Sequence, residues 1–451
     1  MVKNVDMTTG KPLGKLFLFA LPLMFGNVFQ QLYTVVDTAI IGRGVGMEAL
    51  AALGTVDWLN WMFLGIFYGF TQGFSIRVSQ KYGERDFPEL KRMLGQSARL
   101  CVIIAILGVI VGELGIPLFF RLLRIPATLS GMAELYIRIL FAGIPAVVFF
   151  NYCSSVLRAV GDGKTPLVAM IVAASTNIAL DLLTVFVFDW GIAGAAVSTV
   201  VAQCLSGFVC VLRIRRFPEL HFTKEDWKPS SAHLKNLIRI GTPVATKNIG
   251  VAVGGMVLQT VVNGFDVSFI AGYTASNKLY GLLEIAALSY GYAVTTYVGQ
   301  NYGASQYGRI RRGVRTATML SLLTSVVIAT VMIVFGRSAT ALFITAEDPS
   351  VMQAAGETAY VYLCVMAVCL PVLYLLYVYL PALQGMGNTV MPMLSGFLEL
   401  ALRGSIALVV VLTGYANGIF FAEVSAWIGA TVFAIVCYLR DIKKLMGRVG
   451  G

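Results

Sequence analysis

In the stretch QQLYTVVDTAIIGR, Gln30 to Arg43, one carboxylate, Asp37, stands among Leu, Val, Ala, Ile and Thr. Charge in a hydrocarbon environment is costly, so such a group is a functional candidate by default. Gln30, Tyr33, Thr34 and Asp37 recur at spacings of three and four, which puts them on one helix face and turns that face from lipid toward a cavity. A second run, STNIALDLL, sets Asn177 and Asp181 four apart on one face, and Thr199 in the next apolar segment adds a hydroxyl. Two carboxylates with amide and hydroxyl oxygens can hold Na⁺ among hard oxygen ligands, or take up and release a proton. The plainer alternative is a satisfied polar contact that pins helices together.

The C-terminal half carries a different set: Lys247, then Asn277, Lys278 and Glu284, then Glu399 with Arg403. Glu399 and Arg403 are four apart and can pair along one helix face. The set reads either as internal ion pairs or as a charged wall that touches substrate or transmits movement. Enzyme chemistry has little to work with, since both histidines, His221 and His233, lie in the middle loop and neither H-E-x-x-H nor G-x-S-x-G occurs. The seven cysteines sit in apolar runs without a CxxC pair, which argues against a disulfide framework or a zinc site. No G-x-x-x-x-G-K-[ST] is present, so ATP is not the direct energy source and an ion gradient is left.

The elements that must position these groups follow from composition. Of 451 residues, 57% are hydrophobic and only 13% charged, with mean hydropathy +0.79, which makes lipid the bulk solvent. Twelve apolar segments are read at 16–41, 49–76, 94–120, 132–157, 166–188, 191–212, 237–263, 268–299, 314–343, 357–383, 390–413 and 417–439. They are too long for membrane strands and lack strand alternation, so the class is an all-α integral membrane protein and an outer-membrane barrel is excluded. The first run has no small-residue cleavage site behind it and is expected to stay as an anchor. The net charge of +11 does not point to nucleic acid, because Lys and Arg collect in alternate loops while the opposite loops hold little beyond Arg43, Arg121 and Arg124. That pattern places both termini and the middle loop in the cytoplasm.

An internal repeat organises the chain. SQKYGERDFPELKR (79–92) matches GQNYGASQYGRIRR (299–312), LRAVGDGKTP (157–166) matches LQGMGNTVMP (383–392), and GIAGAAVST (191–199) matches GIFFAEVSA (418–426). The offsets, 220 to 227 residues, are nearly constant. Six segments per half is an even number, so the halves are parallel repeats: an N-lobe over 1–212, a cytoplasmic linker over 213–236 and a C-lobe over 237–451, around a central cavity. Such lobes suit alternating access. Pro22 and its repeat partner Pro243 mark places where a helix can bend or be statically kinked. The 17 Met and 27 Phe fit a cavity for varied apolar compounds, although lipid-facing helices use the same residues.

The run LPLMFGNVFQQLYTVVDTAIIGRGVGMEALAALG, the YGERD and GQNYGA loops, the LRAVGDGKTP and LQGMGNTVMP repeats and NIALDLL together resemble the MATE (multidrug and toxic compound extrusion) transporters over residues 13–440. The resemblance implies export of organic, often cationic and amphipathic compounds in exchange for Na⁺ or H⁺, with no cofactor and no metal beyond Na⁺. It implies that Asp37, Asn177, Asp181 and Thr199 match the family's N-lobe cation site, that Tyr136 and Asn151 match polar residues beside it, and that Pro22 matches the first-helix proline associated with bending. The seventh segment departs from one branch, which has an acidic residue where this chain has Lys247 and Asn248, and this favours coupling through the N-lobe. The expectation is a monomeric multi-pass protein of the cell (inner) membrane. A flippase for a lipid-linked precursor is the alternative within the architecture; it would want a cationic cavity, which Lys247, Lys278 and Arg403 suggest and Glu284 and Glu399 offset. A channel lacks any repeated filter loop.

Overall fold

The computed structural model describes residues 6–123, 125–341, 343–344 and 349–447, and all regular structure in them is helical. Lys3, Arg124 and Arg448, part of the charge pattern, lie outside the described residues. The first half holds α1 (Pro12–Gly44), α2 (Met47–Glu84), α3 (Phe87–Leu123), α4 (Ala127–Ala142), α5 (Ile144–Ala159), α6 (Lys164–Phe186) and α7 (Gly191–Ile214). The second holds α8 (Ser231–Val262), α9 (Val267–Gly303), α10 (Tyr307–Ala341), α11 (Pro349–Gly385), α12 (Val390–Thr413) and α13 (Phe420–Gly447).

Among the described residues, thirteen α-helices answer to the twelve expected apolar segments because the run at 132–157 is a pair, α4 and α5, bent by 45°. Two residues cause the bend. Pro145 has no N–H to give the preceding turn, and Gly143 presses so closely on α7 that a Cβ there would meet Val200 at 2.2 Å. In the second half Pro371 matches Pro145, but Cys369 replaces Gly143 and α11 runs on unbroken. Among the described residues, nine helices are long and apolar enough to span a membrane, ten with the bent pair. The two long helices outside that group are α8 and α9, which carry Arg239, Lys247 and Asn248, and Asn277, Lys278 and Glu284.

The repeat is visible in local geometry. Arg85 and Ser305, equivalent by the 220-residue offset, both take the left-handed backbone that ends a helix, with φ of 59° and 55°. Gly161 and Gly387, 226 apart, have φ of 87° and 84°, which favours glycine in both places. The following residues, Asp162 and Asn388, cap the next helix alike: Asp162 Oδ1 accepts from Thr165 N at 2.9 Å and Asn388 Oδ1 from Met391 N at 3.3 Å. Each side chain also ties down its half's last helix, Asp162 through Arg213 at 2.8 Å and Asn388 through Asp441 at 2.6 Å.

The chain forms two compact units. One is built on Leu21–Asn248 and the other on Thr8–Ala20 with Ile249 onward, so α1 divides at Ala20, beside Pro22, and α8 divides five residues after Pro243. In the first unit, Phe63, Phe119 and Phe141 from α2, α3 and α4 interlock, with Phe63 and Phe141 centroids 4.6 Å apart. The polar linker is held by Gln96 of α3, which donates to the carbonyls of Asp226 and Lys228 at 2.7 and 2.6 Å. In the second unit α11 packs along α9, α10 and α13, burying Tyr290, Tyr362, Tyr374 and Trp427 completely.

Candidate cation site in the N-terminal unit

Glycines set the spacing of the helices that carry the site. On α1, Gly26 and Gly44 lie against α6, where a Cβ would meet Met170 Sδ at 2.8 Å and Val185 Cγ1 at 2.5 Å, and Asp37 lies between these two contacts. On α7, Gly194 comes within 2.7 Å of Thr184 Oγ1 by the same measure, drawing α6 and α7 together. Asn177, Asp181 and Thr184 follow at four and three residues on the face of α6 that this contact buries.

Asn177 and Asp181 are 1% and 0% exposed. Asn177 Nδ2 donates to Thr199 Oγ1 at 3.4 Å, and Thr199 in turn donates to the Ala195 carbonyl at 3.1 Å. One turn away, Thr184 and Ser198 hydroxyls meet at 3.3 Å. Against this paired background stand oxygens with none: Oδ1 of Asp37, Oδ1 of Asn177 and both carboxylate oxygens of Asp181 are buried without a hydrogen-bond donor. The carboxylates of Asp37 and Asp181 interact electrostatically, and Tyr33 lies within reach of both. Buried acceptors normally find donors, and carboxylates above all. Four unfilled acceptors on α1 and α6 have the chemistry to take a small hard cation or to share a proton.

The expected stripe on α1 is split. Tyr33 and Asp37 are half-buried toward α6, whereas Gln30 and Thr34 are exposed, the Thr34 hydroxyl donating to the Gln30 carbonyl at 3.0 Å. Tyr136 of α4 joins the cluster, within electrostatic reach of Tyr33, Asp37 and Asp181. Asn151 is half-buried on α5 and makes no hydrogen bond to the cluster. Pro22 lies within α1, which stays helical through it.

In the second unit, Arg403 of α12 is 4% exposed and sits against α8 at Gly254, where a Cβ would meet Arg403 Cδ at 3.0 Å. Its guanidinium donates to Glu423 of α13 at 2.8, 3.1 and 3.2 Å and to Glu399 at 3.4 Å. The pairing expected along one helix is therefore the longer contact, and Glu423 holds the arginine more closely. A glutamate in an apolar helix was a sufficient signal for Glu423. Around this triad Tyr273, Tyr362 and Phe420 stack with centroids 4.8 Å apart at each step, and the Tyr362 hydroxyl donates to Asn277 at 3.4 Å. Tyr377 donates to Glu284.

Two residues expected in this C-lobe network sit elsewhere. Lys247 falls in the part of α8 that belongs to the first unit, because that part packs backbone to backbone on α2: a Cβ on Gly69 would meet Ala245 Cα at 2.5 Å. Lys278 is exposed with its ammonium 5.9 Å from the Phe343 ring centre, since residues next to each other on a helix point about 100° apart and Asn277 takes the inward position. Asp57 of α2, missing from the expected set, is within electrostatic reach of Tyr136.

The MatE family model matches residues 22–183 and 243–409, one stretch in each half. A probable multidrug resistance protein of Bacillus subtilis (strain 168), YpnP, is 30% identical over 353 residues, covering 77% of this chain and 78% of its own. The probable multidrug resistance protein NorM of Thermotoga maritima is 24% identical over 447 residues, 96% of this chain and 91% of its own. A crystal structure of a MATE in complex with MaL6 has the same fold, with TM-score 0.91 at 22% identity over 99% of this chain and 100% of that one. The chain belongs to the MatE family: it is a multi-pass membrane transporter of the multidrug efflux type, acting on small molecules, and not an enzyme.

Proposed function

We propose that this transporter exports organic, cationic or amphipathic compounds across the cell membrane in exchange for H⁺ or Na⁺ held by Asp37, Asn177, Asp181 and Thr199, as a monomer with both termini cytoplasmic. The observation that carries the proposal is the set of buried, donorless oxygens on Asp37, Asn177 and Asp181. Asn177 and Thr199 orient the site, and the two carboxylates supply the charge that a cation or proton neutralises. Exchange follows when the occupied and empty states favour different lobe arrangements, so that each cation entering is linked to a substrate leaving. The boundary between compact units beside Pro22 supports that residue as the hinge.

Coupling through the first half alone is supported by the repeat. Arg403 stands at the position equivalent to Asn177, 226 residues on, and already fills its pocket with a cation bound to Glu423 and Glu399. The same ion pairs weigh against a flippase for a lipid-linked pyrophosphate, because they neutralise the cationic charge that such a substrate would need, and the similar proteins give that alternative no support over drug export.

Purified protein tests the site directly. A cation that binds only the folded state raises the melting temperature with concentration. NaCl in place of KCl at constant ionic strength, or a lowered pH, should raise the melting point of the wild type and leave Asp37→Asn/Asp181→Asn unmoved. Equal responses from both proteins would remove the two carboxylates from the mechanism.

A further inference from the structure

The open face of α2 carries a group that the cation site does not use. Asp57 is exposed and, among the described residues, has no hydrogen-bond or ion-pair partner. One turn on, Trp61 is 63% exposed, and Trp58 beside it 38%. A bare carboxylate turned to lipid is strongly disfavoured, so this face borders a polar space. Trp61 lies fourteen residues into α2, one turn from Asp57 on the same helix face. Tyr136 is within electrostatic reach of both Asp57 and the buried, donorless Asp181.

We propose that Asp57 and Trp61 form a docking site for an aromatic organic cation, the carboxylate meeting the charge and the indole face stacking on the ligand's rings. This deepens the export reading and rests on it. Charge complementarity selects the ligand: Asp37, Asp57 and Asp181 are all acidic, and among the described residues Asp57 has no cationic side chain paired with it. An indole next to a carboxylate is the side-chain pair that favours a delocalised, poorly hydrated cation over a small hydrated one. Asp37 and Asp181 hold the coupling ion, while Asp57 faces the exported molecule.

The probes are tetraphenylphosphonium and the neutral triphenylphosphine oxide, with binding to the purified full-length chain measured by equilibrium dialysis. Asp57→Asn should weaken tetraphenylphosphonium roughly tenfold and leave the oxide unchanged, Asp57→Glu should restore the affinity, and Trp61→Ala should weaken both, with Trp61→Phe intermediate. Wild type that does not bind tetraphenylphosphonium, or Asp57→Asn and Trp61→Ala proteins that bind it as wild type does, overturn the proposal. Both positions are exposed, and Trp61→Ala tests the face should Asp57→Asn misfold. Failure of the export reading is separate: it shows as wild type that drives no efflux of an organic cation from proteoliposomes under either a Na⁺ or a pH gradient, whatever Asp57 does.

Discussion

Replacing Arg403 by methionine should be among the most damaging single changes in the second unit, and its consequences can be worked out from the geometry. The guanidinium is 4% exposed and makes three contacts of 2.8 to 3.2 Å to Glu423 and one of 3.4 Å to Glu399. Methionine keeps much of the stem and removes the charge, leaving two carboxylates side by side in the interior. Breaking a buried pair from one side costs about 3–5 kcal/mol, whereas removing both partners is close to neutral. For a unit of roughly 200 residues, at about 2–4 °C per kcal/mol, the midpoint should fall by roughly 6–20 °C. The sign of a second substitution is more telling than the size of the first. Glu423→Leu should destabilise the wild type, because it strips Arg403 of its nearer partner, yet stabilise Arg403→Met, because it removes an orphaned acid. Thermal unfolding of the four proteins in detergent, followed by a thiol-reactive dye and by circular dichroism, measures both. An Arg403→Met midpoint within 2 °C of wild type, or Glu423→Leu acting with the same sign in both backgrounds, would refute the reasoning.

Gly313→Ala on α10 should cost about 1–3 kcal/mol, since the new Cβ would fall 2.0 Å from the Tyr297 ring and push the phenol off the Arg309 carbonyl it reaches at 3.2 Å; the melting point of the purified variant checks it. Asp266, in the loop before α9, caps that helix through the Phe269 N–H at 3.2 Å, and Asp266→Ala should cost about 1 kcal/mol. Its carboxyl is held below the usual carboxylate range by the Ser268 hydroxyl and then the Phe269 N–H. Because the folded value is lowered, the cap's contribution is present above the ordinary carboxylate pKa and fades as pH falls through the lowered one. The gap in melting point between wild type and Asp266→Ala should therefore be full at pH 7 and close in strong acid.

Much of the first-half site was legible because charge is conspicuous in an apolar run: Asp37 and Asp181 stand out against Leu, Ile and Val, and the four-residue step from Asn177 to Asp181 gives their common face. Asp57 and Glu423 carry the same signal in VDWLNW and FFAEVS and are equally readable, but the helix faces they share with other polar residues emerge only from packing. Lys278 shows the limit of reading a chain by proximity, since adjacency to Asn277 says nothing about direction. The stack of Tyr273, Tyr362 and Phe420 has no signature in the sequence, because aromatic residues are ordinary in membrane helices and the three come from three different helices. The bend at Gly143 was hidden because hydropathy averages straight across it.

Efflux from proteoliposomes under separately imposed Na⁺ and pH gradients, with wild type, Asp37→Asn and Asp181→Asn compared, tests the central claim most directly. The account predicts that one of the two gradients drives wild-type efflux of an organic cation and that each substitution abolishes the driven component while leaving a folded, inserted protein. Gradient-driven efflux at the wild-type rate in either variant would contradict it.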